Sequence, residues 1–133
     1  MARRYLDPMC ATQGSDDVNA RVESGDGILV GYWAHYTFNT GFILWNGANH
    51  YRFTRDAEWL RRVAPNWVKA CDWIARERRG AAKAGGAFGA GLFPPCGLED
   101  LQQWYYWTMT NAYFAAGLRH AAEALADIGH PEA

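Results

Sequence analysis

Two adjacent carboxylates, Glu99 and Asp100, stand between a Pro-Pro pair and a run of aromatic residues, and four more, Asp16, Asp17, Glu23 and Asp26, cluster near the N-terminus. Paired carboxyl groups are the machinery of glycosidic bond cleavage. They sit about 5 Å apart for retention of configuration and roughly 6.5–9.5 Å apart for inversion. One of the pair must be held protonated, which burial among apolar rings favours. Glu99 and Asp100 have Pro94, Pro95, Leu98, Trp104 and Tyr105 around them in sequence, and are therefore the catalytic candidates. Glu23, Asp26, Trp33, Trp104 and Tyr105, with Tyr106 beside them, are the substrate-binding candidates, because flat aromatic faces stack against apolar faces of ligands. The carboxylates other than Glu23 also have a plainer reading. Glu99 or Asp100 could cap a helix, since acidic residues favour helix N-termini. Asp26, in Ser24-Gly25-Asp26-Gly27, fits a turn, and Asp16-Asp17 fits a solvated pair.

Other chemistries find little support. His35 and His50 are too far apart for an i, i+4 zinc pair and no HExxH occurs, so no metal and no cofactor is assigned. The Gly80 to Gly91 tract lacks the GK[ST] ending of a phosphate loop and does not follow a strand; it reads as a flexible loop. Cys10, Cys71 and Cys96 form no CxxC pair and read as reduced thiols. With a formal charge of -1 the chain has no footprint for nucleic acid. The apolar run Gly41 to Trp45 is too short for a membrane span, and Met1-Ala2-Arg3-Arg4 begins no apolar signal segment. Seven Trp and 15% aromatic residues must serve either a core or a stacking surface.

Three helices must position these loops. Residues 1–31 read as an irregular region with a short strand at Ile28-Leu29-Val30, pairing near Val22 across the Gly25-Asp26-Gly27 turn. Residues 32–133 read as helical hairpins. The first helix, 33–53, is apolar on nearly every side and so expected to be buried, with Gly41 and Gly47 marking close packing. Thr54 is the expected N-cap of the second, 55–79, whose stripe is Leu60, Val63, Trp67, Ala70, Cys71 and Ile74. Arg61, Arg62, Lys69, Arg76, Glu77 and Arg78 fall on its wet face, and Pro65 kinks or divides it. The third, 104–128, has the stripe Trp107, Phe114, Leu118, Ala121, Leu125 and Ile128, with Gly129 ending it. Trp45, Trp67 and Trp73 are expected in the core, Trp59 in a structural role, and His120 on a wet face. The first and third helices should run parallel, because one antiparallel helix separates them. The two acidic loops that precede them then share one end of the molecule.

Several stretches resemble the six-hairpin glycosidase superfamily. They are Tyr51-Arg52-Phe53-Thr54-Arg55-Asp56-Ala57-Glu58-Trp59-Leu60, Pro65-Asn66-Trp67-Val68-Lys69-Ala70-Cys71-Asp72-Trp73-Ile74, Gly91-Leu92-Phe93-Pro94-Pro95, and Asn111-Ala112-Tyr113 running into Gly117-Leu118. The resemblance covers roughly residues 26 to 133. It implies an all-α chain of antiparallel helical hairpins, a fragment of an (α/α)6 toroid, with carbohydrate chemistry and no particular substrate. It also implies that a loop after the Gly-Leu-x-Pro segment reaches the site, which raises Glu99 and Asp100. Three helices are only part of such a ring, and Pro131-Glu132-Ala133 looks like the beginning of another. Exposed apolar faces of a partial ring would favour self-association. The alternative is a non-catalytic helical-hairpin module that binds a carbohydrate or a protein.

Overall fold

The computed structural model describes residues 3–15, 18, 20–30, 36–83, 91–98 and 103–133. Asp16, Asp17, Trp33, His35, Glu99 and Asp100 lie outside the described residues, as does most of the Gly80 to Gly91 tract. The chain is all-α. Its helices are α1 (Arg3–Ala11), α2 (Asn39–Thr54), α3 (Ala57–Lys83) and α4 (Thr108–Asp127).

Helix α1 replaces the irregular start read from the sequence. Nine residues with Pro8 among them are too few to hold a helix in isolation. Tertiary contacts hold it instead. Leu6 and Cys10, one turn apart, are buried. Asp7 accepts from Trp59 Nε1 at 2.8 Å and from Arg62 Nη2 at 2.9 Å. Arg3 pairs with Asp56. The strand expected at Ile28-Leu29-Val30 is absent among the described residues. Ile28 and Leu29 are buried, but Leu29 exchanges hydrogen bonds with the Thr40 hydroxyl rather than with a strand.

The turn between α2 and α3 is tight. Arg55 takes a left-handed conformation, φ 54°, and its N–H returns to Tyr51 O at 2.7 Å. Asp56 Oδ1 then accepts the Trp59 N–H at 2.9 Å, so Asp56 and not Thr54 caps α3; Thr54 is still the last residue of α2. Helix α3 runs unbroken through Pro65 for 27 residues. Its stripe is inside as expected, save Cys71, which is half-buried. Glu77, read as wet, is buried as well.

Helices α2 and α4 are parallel and in backbone contact. Phe38 stacks on Tyr113 near their starts, and at their far ends Tyr51 and Arg55 both reach Asp127. They cross where Gly41 meets Gly117: a Cβ on Gly117 would lie 2.5 Å from Gly41 O. Helix α3 lies antiparallel across both, with Trp67 against Gly47 and Trp73 against Phe114. The core centres on Trp73, Phe93 and Phe114, whose rings sit 4.5 to 6.1 Å apart.

Several expectations about faces need correction. Helix α2 is not buried all round: Phe42 is exposed and Phe53 is 90% exposed. With Tyr5 they border an apolar depression of about 420 Å³ between α1 and α2. Trp45 is only half-buried. It joins Phe42, Tyr113 and His120 in an aromatic band on the side of the α2–α4 pair away from α3. His120, expected on a wet face, is half-buried in that band. Leu118 and Ile128, placed in the stripe of α4, are half-buried too. Gly129 ends α4 with φ 69°, as its position after the last periodic residue suggests.

Candidate functional site

The loop end of the parallel helix pair is held by main-chain bonds that meet at Cys96. Cys96 forms antiparallel bridges with both Ala20 and Tyr105. Its N–H donates to Tyr105 O at 3.1 Å, and its carbonyl accepts from Tyr105 N at 3.2 Å and from Trp107 Nε1 at 2.7 Å. Arg21 N–H donates to Pro95 O at 2.9 Å. This pairing explains why α4 begins at Thr108 and not at residue 104. Tyr105 spends both its backbone groups on Cys96, and Trp107 is extended (φ −70°, ψ 124°). Phe93, buried against Trp73 and Phe114, anchors the same segment to the core.

A second anchor is Glu77, 1% exposed on α3. Its Oε2 accepts the Glu23 N–H at 2.8 Å, while Oε1 takes Arg76 Nε at 3.2 Å and Nη2 at 3.1 Å. A buried carboxylate is costly without such partners, and here the partners fix the main chain at residue 23. Trp73 Nε1 adds a bond to Ser24 O at 2.6 Å.

Between these anchors lies a groove of about 310 Å³ whose lining includes Arg21, Glu23, Glu77, Pro94, Pro95 and Tyr106. The Arg21 guanidinium stands over the Trp104 ring, 5.8 Å from its centroid. Trp104, Tyr105 and Tyr106 are 39%, 51% and 40% exposed. Such rings could each bury further apolar area against a flat ligand. Tyr105 lies edge-on to Trp107 and its hydroxyl donates to Gln103 Oε1 at 2.9 Å.

Of the substrate-binding candidates, Glu23 lines the groove, Trp104 joins it through Arg21, and Tyr105 neighbours it through the chain. Asp26 does not line it. Asp26 is ion-paired with Lys69 and borders a separate depression with Asp72, Arg76 and His130. The Lys69 hydrogen bond and charge hold the Asp26 carboxyl below the usual carboxylate range. Trp33, Glu99 and Asp100 lie outside the described residues. Sequence reasoning missed Arg21 and Glu77. Arg21 gave no signal in the sequence, because its place depends on the bend at Glu23 and on a bond to Pro95, far along the chain. Glu77 gave none, because it sits in a charged run, Arg76 to Arg79.

Among the described residues no three His, Cys, Asp or Glu are grouped to hold a metal ion. All three cysteines are free. Burial, with Asp7 nearby, pushes the Cys10 thiol up to about 11, and burial pushes Cys71 up to about 12. Both are protonated at neutral pH and therefore poor nucleophiles. No helix among the described residues is long and apolar enough to cross a membrane. The chain matches no protein-family model, no curated protein and no solved structure.

Proposed function

We propose that the protein is carbohydrate-active and binds a saccharide at the loop end of the α2–α4 pair. The observation that carries this reading is the groove at the Cys96 junction. It sets a guanidinium, a carboxylate and a phenol beside exposed aromatic faces on a main chain already fixed by hydrogen bonds. Sugars need both kinds of surface: flat rings for their C–H faces, and donors and acceptors for their hydroxyls. A site ordered before the ligand arrives spends less of the binding energy on ordering. Trp104→Ala is expected to weaken oligosaccharide binding by roughly tenfold or more. Because Trp104 is exposed, its melting temperature should stay near that of the parent. Calorimetric titration against a panel of oligosaccharides reads the first, and thermal unfolding the second. Equal affinity in parent and variant would remove Trp104 from the site.

Hydrolysis is a second reading, favoured by the parallel course of α2 and α4. That course brings the starts of both helices, Asn39 and Thr108, to one end. On this reading Glu99 or Asp100 is the general acid, and Glu23 is the better choice of base, because Asp26 is paired with Lys69 away from the groove. Glu99→Gln and Asp100→Asn are then expected to lower reducing-end release by a factor on the order of a hundred or more. Unchanged turnover in both amides would sink this assignment.

A further inference from the structure

We infer that the groove selects a neutral saccharide with adjacent free hydroxyls and discriminates against both uronates and amino sugars; the inference rests on the binding reading above. Its charged groups balance. Arg21 contributes a cation and Glu23 an anion, two residues apart in the chain, and both line the same groove of about 310 Å³. Glu77, also in the lining, is matched by Arg76. A carboxylated sugar would meet Arg21 but also Glu23 and Glu77. The Arg21 cation, moreover, is already shared with the Trp104 ring. A protonated amino sugar would meet Glu23 but also Arg21. Either charge gains one contact and suffers another of the same size, after losing part of its hydration.

Hydroxyls face no such conflict. Each is both donor and acceptor. The guanidinium only donates and the carboxylate only accepts, so a pair of adjacent hydroxyls can satisfy both at once. The Tyr106 phenol, which can do either, completes the set. The fixed spacing of Arg21 and Glu23 makes this a selective arrangement: Arg21 N–H is bonded to Pro95 O, and Glu23 N–H to Glu77.

The test is calorimetric titration of the full chain, at physiological salt, with probes of equal length. Cellohexaose, mannohexaose and xylohexaose are the neutral probes, hexagalacturonate the acidic one and the glucosamine hexamer the basic one. At least one neutral probe is expected to bind roughly tenfold tighter than either charged probe, the penalty of one uncompensated charge contact near a surface. Glu23→Gln should recover most of that factor for hexagalacturonate, and Arg21→Gln for the glucosamine hexamer. Both side chains are exposed, so folding is expected to survive, with circular dichroism as the check. A charged probe that binds as tightly as the best neutral one overturns the selectivity while leaving saccharide binding intact. No binding of any probe overturns both.

Discussion

Gly117→Ala should lower the stability of the protein although it replaces glycine by the best helix former. In a helix interior alanine is favoured over glycine by about 1 kcal/mol, so propensity predicts a gain. Packing predicts the reverse. A Cβ at residue 117 would lie 2.5 Å from Gly41 O and 2.8 Å from Gly41 Cα, and these are backbone atoms that cannot swing aside. The two helices would have to separate along their longest contact. Overpacking of this kind costs about 1–3 kcal/mol, occasionally more, and here it must exceed the propensity gain. A net loss of about 1–2 kcal/mol is expected for alanine, and one of about 3 kcal/mol or more for Gly117→Val, whose branched side chain cannot be accommodated by a small shift. For a chain of this size each kcal/mol moves the melting temperature by about 3–5 °C. Gly80→Ala is the internal control. It also lies within a helix, but its Cβ would meet only the flexible end of Glu23, at 2.9 Å. It should be neutral or stabilising by up to about 1 kcal/mol. Thermal unfolding of the three variants compares the effects directly. If Gly117→Ala raises the melting temperature, the close crossing of α2 and α4 is wrong.

That crossing was partly legible beforehand. Gly41 and Gly47 inside an apolar helix implied close neighbours, and both neighbours exist: the α4 backbone at Gly41, and the Trp67 ring at Gly47. The three long helices were legible because their apolar spacing repeats over many turns. Helix α1 was not. Its two buried residues make no pattern that a short stretch containing Pro8 could reveal, and its hydrogen bonds run to side chains more than fifty positions away. The start of α4 was misread for a related reason. Consecutive aromatic residues from Trp104 to Trp107 suit a helix face or an extended segment equally well in sequence. The Cys96 backbone decides for the latter. Trp104 and Tyr105 could be read as surface rings from their place beside a loop. Asp26 could not be assigned, because its partner Lys69 lies on another element. Glu77 shows the limit most clearly: a carboxylate in a charged run looks solvated until the main chain it must satisfy is folded against it.

Trp73→Ala should be the most damaging single change, and it should loosen the groove as well as the core. Trp73 is wholly buried between Phe93, at 5.2 Å, and Phe114, at 6.1 Å. Removing a core aromatic side chain costs about 3–5 kcal/mol, a large share of the roughly 5–15 kcal/mol that holds a domain folded. The same side chain ties down the first loop. Its Nε1 donates to Ser24 O at 2.6 Å, and Gly27, at φ 118°, packs against its Cβ with no room for a Cβ of its own. Phe93 links it in turn to the Cys96 segment. A cavity at Trp73 therefore removes support from both segments that build the groove. Trp73→Phe separates the two roles, because it keeps most of the packing and loses only the hydrogen bond, at about 1–3 kcal/mol for the carbonyl left without its donor. Urea unfolding is expected to rank the proteins parent, phenylalanine variant, alanine variant. Amide exchange in the folded state should rise at residues 20–30 in the phenylalanine variant while α2 and α4 stay protected. Exchange that rises evenly through the helices would mean that Trp73 only fills space, and that the loop is held by Glu77 without it.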